Sequence, residues 1–221
     1  MKLGGNCARS TKTAYAARVW RKQRCTVAIL RIMSQTLNTN RRMILLLGGA
    51  RAGKSTYAMR LAQDGERTSV DEVCFIATAQ GLDEDMTKRI ARHRAERSPH
   101  WRTIEEPCQI DEALGQASEA RIVIVDCLTL FVSNWLMRHE DEHECEQFVR
   151  RITRNFLELT RTRQQTIICV SNEVGLGVVP DTNLGRVFRD LLGRVNQEFA
   201  AAADEVYLLI AGLPLQLKPT A

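Results

Sequence analysis

Gly48, Gly53, Lys54 and Ser55 stand at the spacing of a loop that holds phosphate. The pattern G-x-x-x-x-G-K-[ST] runs from Gly48 through Gly49, Ala50, Arg51, Ala52 and Gly53 to Lys54 and Ser55. Phosphate oxygens need several donors converging from one side, and glycine lets backbone N–H groups point inward without a Cβ in the way. A helix beginning at Lys54 adds the positive end of its dipole. Lys54 is then placed to reach the β- and γ-phosphates, and the Ser55 hydroxyl to join the coordination of Mg²⁺. The expected ligand is a nucleoside triphosphate.

A carboxylate further along fits the same chemistry. Arg121-Ile-Val-Ile-Val-Asp126 is an apolar run ending in an acid, as in a Walker B strand, where the Asp holds Mg²⁺ directly or through water. The plainer reading is an acid that caps the next helix. His93 is the third candidate. Met86, Ile90, His93 and Arg97 step by four, three and four, so they share one helix face, with Arg89 one turn before His93. That face is expected to turn inward, and burial beside cations favours a neutral imidazole. A neutral imidazole is a competent nucleophile toward phosphorus. On spacing alone, a structural histidine bonded to a backbone carbonyl is the plainer reading.

These side chains need a frame. Residues 44–47, 72–79, 121–126, 166–170 and 205–210 read as buried strands, and 213–217 as a final hairpin strand. Helical patterning begins at Lys54 and recurs over 82–97, 110–120, 146–163 and 184–203; 101–107 is extended, and 128–136 is a helix or a packed loop. Residues 139–145 read as an exposed polar connection. The alternation predicts an α/β chain with the three-layer fold of a RecA-like P-loop NTPase, its central sheet mostly parallel. Thr78 and Ala79, and the Gly- and Pro-containing loop 171–180, follow strand ends where open parallel sheets bind ligands.

Composition narrows the setting. The 221 residues suit one such domain plus an appendage. Residues 1–42 hold ten Lys or Arg and no acid, which leaves 21 of the 31 basic residues against all 26 acidic ones in the remainder, a net −5. The overall charge of +5 therefore belongs to the N-terminal extension and says little about what the domain 43–221 binds. That extension reads as a targeting peptide, a tail that touches nucleic acid, or, the reading favoured, an upstream extension of the reading frame with Met43 as the working start, disordered or marginally helical. Seven scattered cysteines without a C-x-x-C suit a reducing, cytoplasmic setting, and no apolar run is long enough to span a membrane.

Several stretches taken together are more specific than the phosphate loop. They are Gly48 to Ser55, Ala77-Thr-Ala-Gln80, Arg89-Ile-Ala-Arg-His93, Trp101-Arg-Thr-Ile-Glu-Glu-Pro107, Asp126-Cys-Leu-Thr-Leu130, Asn172-Glu-Val-Gly-Leu-Gly-Val-Val-Pro180 and Gly185-Arg-Val-Phe-Arg-Asp-Leu-Leu-Gly-Arg-Val-Asn-Gln197. From Met43 to about Lys218 the chain resembles the bifunctional adenosylcobinamide kinase and adenosylcobinamide-phosphate guanylyltransferase. The resemblance implies phosphorylation of adenosylcobinamide by ATP or GTP, then transfer of GMP from GTP, through a guanylylated histidine, to adenosylcobinamide phosphate. His93 matches that histidine, and Ala77, Thr78, Ala79, Arg94, Ala95, Glu96, Arg97 and Glu105 match nucleotide-contacting positions. Asp126 matches the strand-end acid that shares Mg²⁺ with Ser55. The resemblance also implies a homo-oligomer, a trimer. Ala52 departs from the family loop, which usually has Ser there, and the basic extension lies outside the pattern.

Two rivals make different demands. A plain small-molecule kinase of the same fold would have no covalent step. A RecA-like ATPase that binds nucleic acid through the basic extension would need base-stacking residues, and the domain's net −5 and 5% aromatic content argue against it. His100, beyond the Ser-Pro break, is the fallback nucleophile.

Overall fold

The computed structural model describes residues 42–65 and 72–219. Apart from Arg42, the basic extension lies outside these residues, as does most of the polar stretch that follows the first helix. The strands are β1 (Arg42–Gly48), β2 (Val73–Ala77), β3 (Arg102–Glu105), β4 (Ile122–Asp126), β5 (Thr166–Val170), β6 (Glu205–Ile210) and β7 (Leu213–Lys218). The helices are α1 (Lys54–Gly65), α2 (Glu84–Ala95), α3 (Ile110–Gln116), α4 (Leu128–Leu136), α5 (Glu142–Thr162) and α6 (Asn183–Ala202).

One seven-stranded sheet has the order β3-β2-β4-β5-β1-β6-β7. Every pairing is parallel except that of β6 with β7. The inner strands are covered on both faces, which is why they read as unbroken apolar runs. On one face Leu45, Cys74, Ile76, Val123, Val125 and Ile167 pack beneath α3, α4, α5 and α6. The opposite face, bearing Ile44, Leu46, Ile124 and Ile168, meets α1, where Ala58 and Ala62 are fully buried one turn apart. Small side chains at that spacing let the helix lie close to the sheet. Each large core side chain, such as Phe131, Phe156 or Phe199, contributes on the order of 1.5–3 kcal/mol by leaving water.

Local signals set most of the ends. Asp83 caps α2 through a 2.6 Å bond from the Met86 amide, and Thr182 caps α6 by accepting from Gly185 at 3.2 Å. Three expectations need correction. The 139–145 stretch is not a connection throughout, because Asp141 accepts from the Glu144 amide at 2.8 Å and starts α5 at Glu142, which buries Cys145 completely. The predicted helix 110–120 stops at Gln116. Its freed carbonyls are taken up by the Gln165 side-chain amide, which donates to Ala117 at 2.8 Å and to Ala120. Helix 82–97 is shorter by two residues at each end.

Arg42 belongs to the fold, not to the extension. It opens β1 and pairs with Glu205, which is 1% exposed. At the other end of the chain, β6 and β7 are joined through Ala211 and Gly212, both with positive φ, +51° and +81°. That is the conformation a two-residue hairpin turn requires.

Candidate active site

The strands bring their carboxyl ends to one edge of the sheet. Ala77 of β2 lies opposite Asp126 of β4, Asp126 opposite Val170 of β5, and Gly48 of β1 opposite Leu209 of β6. The phosphate loop follows β1, and Asp126 ends β4, at this edge, where parallel sheets bind ligands.

The loop 48–53 turns here with glycine where glycine is needed. Gly48 has φ +149°, and a Cβ on it would stand 2.5 Å from the Leu209 carbonyl oxygen. Gly53 has φ +91°. Gly49, Ala50 and Arg51 are exposed at the tip, and the Gly212 amide supports the loop from behind with a 3.0 Å bond to the Ala52 carbonyl. Lys54 is 7% exposed and folds back to donate to Gly48 (3.0 Å) and Gly49 (2.7 Å). Burial holds its ammonium below the ordinary value of 10.5; Cys127 and Asp126 oppose the shift and Arg89 adds to it.

Beside the loop lies a cleft of about 690 Å³, between α2 and the ends of β2 and β4. Of the expected residues, Ala77, Ala79, His93, Arg94, Arg97, Glu105 and Asp126 line it. The loop residues Gly48 to Ser55 do not line it, nor do Thr78, Ala95 and Glu96; Ala95 and Glu96 are exposed, and Thr78 is fully buried. Its hydroxyl donates to the Cys127 carbonyl (2.8 Å) and accepts from the Cys127 amide (2.7 Å). The 171–180 loop sits at the ligand edge, with the Glu173 amide donating to the Gly48 carbonyl at 3.1 Å, but does not line the cleft.

Met86, Ile90, His93 and Arg97 do share the face that looks into the cleft, but the expected burial is not met. Helix α2 has no buried residue and His93 is half-exposed, because the helix stands over an open cleft and not over packed sheet. Among the described residues, His93 forms no hydrogen bond or ion pair, so the carbonyl-bonded structural histidine is not what the fold builds. The other three histidines are elsewhere. His100 is exposed outside the cleft, His139 packs against Trp135 and Phe148, whose rings also stack on each other, and His143 lies 3.0 Å from Gln147.

The charges of the cleft are partly organised. Arg94 pairs with Glu105 at 3.1 Å, with both side chains exposed. The Arg97 guanidinium lies 3.6 Å above the Phe75 ring; burial holds its pKa below the ordinary guanidinium value, with Asp126 and Glu105 opposing the shift. Cys127 also lines the cleft, and burial next to Asp126 pushes its thiol up to about 11.

Asn134 escaped sequence reasoning. It is 7% exposed on α4 and donates to the carbonyls of Thr78 (2.8 Å) and Pro107 (3.0 Å), tying together two walls of the cleft. The only signal was a lone amide in an apolar helix.

A family model described as cobinamide kinase / cobinamide phosphate guanyltransferase matches residues 44–217. The chain belongs to that family. It is therefore an enzyme of cobalamin biosynthesis that pairs kinase and guanylyltransferase activities. Relatives of the cobinamide kinase / guanyltransferase family include the bifunctional adenosylcobalamin biosynthesis protein CobP of Pseudomonas aeruginosa, 43% identical over 180 residues, which cover 79% of this chain and 96% of CobP. The protein of the same description, CobU, from Escherichia coli strain K12 is 38% identical over 185 residues, covering 80% and 99%. Among solved structures, the flagellar accessory protein FlaH of Methanocaldococcus jannaschii covers 82% of this chain at 17% identity and a TM-score of 0.45.

Proposed function

We propose that one nucleotide edge carries out both reactions, with His93 as the residue that holds GMP between them. The single observation that carries this is the position of His93. Of the four histidines it alone lines the cleft, with no internal partner, on the same wall as three arginines.

In the kinase step, the loop amides and Lys54 cradle the β- and γ-phosphates, with Lys54 exchanging the Gly48 and Gly49 carbonyls for phosphate oxygens. The acceptor is the free hydroxyl of adenosylcobinamide, and ATP or GTP is the donor. In the guanylyl step, an imidazole nitrogen of His93 attacks the α-phosphorus of GTP. A P–N bond forms, the bridging P–O bond breaks, and pyrophosphate leaves with that electron pair. The new phosphate of adenosylcobinamide phosphate then takes GMP from the histidine, giving adenosylcobinamide-GDP.

The donors available fit Mg²⁺. Ser55 is half-exposed at the start of α1, and the half-buried Asp126 carboxylate has no ion-pair partner among the described residues. Among the described residues no group of three or more His, Cys, Asp or Glu side chains gathers there, so phosphate oxygens and water would complete the shell, as is usual for this ion. Bound there, Mg²⁺ would neutralise charge on the triphosphate.

The same reading places the enzyme in the cytoplasm as a homo-oligomer, a trimer. No helix among the described residues is long and apolar enough to cross a membrane. Exposed Leu213, Leu215 and Leu217 on β7 are side chains that self-association would cover. Residues 1–41 remain, in this reading, outside the working domain.

Incubation with Mg²⁺ and GTP labelled on the α-phosphate tests the assignment. The expected result is protein-bound label that survives alkali, is lost in acid and is absent from His93→Ala. Label retained by that variant would move the role elsewhere. No label at all on a GTP-binding protein would leave a kinase only.

A further inference from the structure

We propose that Arg89 receives the pyrophosphate leaving group when GMP passes to His93; the inference rests on the guanylylated-histidine reading above. Three guanidinium groups line the cleft, and two already have partners. Arg94 is held by Glu105, and Arg97 is stacked on Phe75. Arg89 forms no hydrogen bond, ion pair or ring contact among the described residues. Its neighbour on the outer face, Lys88, is paired with Glu84. A free, exposed cation facing the cleft is a charge without a counter-ion.

Its position matches the chemistry. Arg89 precedes His93 by one helical turn, about 5.4–6 Å along the axis. Helical side chains lean toward the N-terminus, so both groups shift the same way and stay about one turn apart along the helix. Displacement at phosphorus is roughly in line, so the leaving oxygens emerge on the side opposite the attacking nitrogen. Arg89 lines the cleft from α2 together with His93, and Asp126 lines it from the end of β4. As the P–N bond forms and the P–O bond breaks, negative charge accumulates on pyrophosphate within that space, and a planar fork of donors suits it.

The two half-reactions separate this role from simple support of the fold. Full-length wild type, Arg89→Ala and Arg89→Lys are loaded with α-labelled GTP and Mg²⁺, freed of nucleotide, and challenged either with pyrophosphate, which reverses the loading, or with adenosylcobinamide phosphate, which consumes GMP. Pyrophosphate binding to each unloaded protein is measured by calorimetry in parallel. Arg89→Ala should load about 10²-fold more slowly and need at least about 10-fold more pyrophosphate for half-maximal reversal, while GMP hand-over slows far less. Arg89→Lys should recover part of the loss, since the charge remains without the fork. Pyrophosphate affinity and reversal unchanged in Arg89→Ala, or both half-reactions slowed equally, overturns the proposal. Absence of acid-labile label in the wild type overturns the histidine reading beneath it, a result distinct from either.

Discussion

Thr78 and Cys127 are bonded twice through a single hydroxyl, which donates to the Cys127 carbonyl at 2.8 Å and accepts from the Cys127 amide at 2.7 Å. This closes β2 onto the end of β4 directly behind Asp126, and Asn134 extends the tie to Pro107. Thr78→Val keeps the shape but leaves the Cys127 amide unpaired, while the Cys127 carbonyl keeps the Phe131 amide at 3.2 Å. It is expected to cost on the order of 1–3 kcal/mol in urea unfolding and to lower both activities, whereas Thr78→Ser should stay near wild type.

The loop depends on Gly48. An alanine there would bring Cβ within 2.5 Å of a backbone oxygen at a φ of +149°. Gly48→Ala is expected to lose on the order of 1–3 kcal/mol of stability and to abolish GTP binding, read by thermal unfolding with and without nucleotide.

Lys54 sets a pH dependence. Its folded-state pKa is lowered by burial, so between that value and 10.5 the unfolded chain holds more protons, and this group's contribution to stability rises with pH across that window. Bound phosphates favour the charged ammonium. GTP binding should therefore take up protons as pH rises into the window, and affinity should fall there. Calorimetry in two buffers of different ionisation enthalpy measures the uptake, which Lys54→Met should abolish.

Cys127 lines the cleft yet should be slow to alkylate. With its thiol pushed up to about 11, little thiolate exists at neutral pH. The rate of modification by iodoacetamide should climb about tenfold per pH unit toward that value.

The layout of strands and helices was legible because apolar runs and 3.6-residue spacing are local. The phosphate loop was legible because its glycines, lysine and serine are contiguous. The face of α2 that carries His93 was also readable, but its burial was not: spacing gives a direction, and what lies in that direction depends on where the sheet ends. The start of α5 was hidden because acidic residues suit both a loop and a first helical turn, and only the Asp141 cap and buried Cys145 decide. Asn134 was hidden for a different reason, since its partners lie 56 and 27 residues away.

The bond from the Gly212 amide to the Ala52 carbonyl gives the phosphate loop a support that the chain supplies 160 residues later. On a ribosome, the loop sequence emerges early and its support near the end of synthesis. Competence to hold a triphosphate therefore arrives after nearly all of the domain has been made, and nascent chains halted before the β6–β7 turn should occupy no cellular GTP.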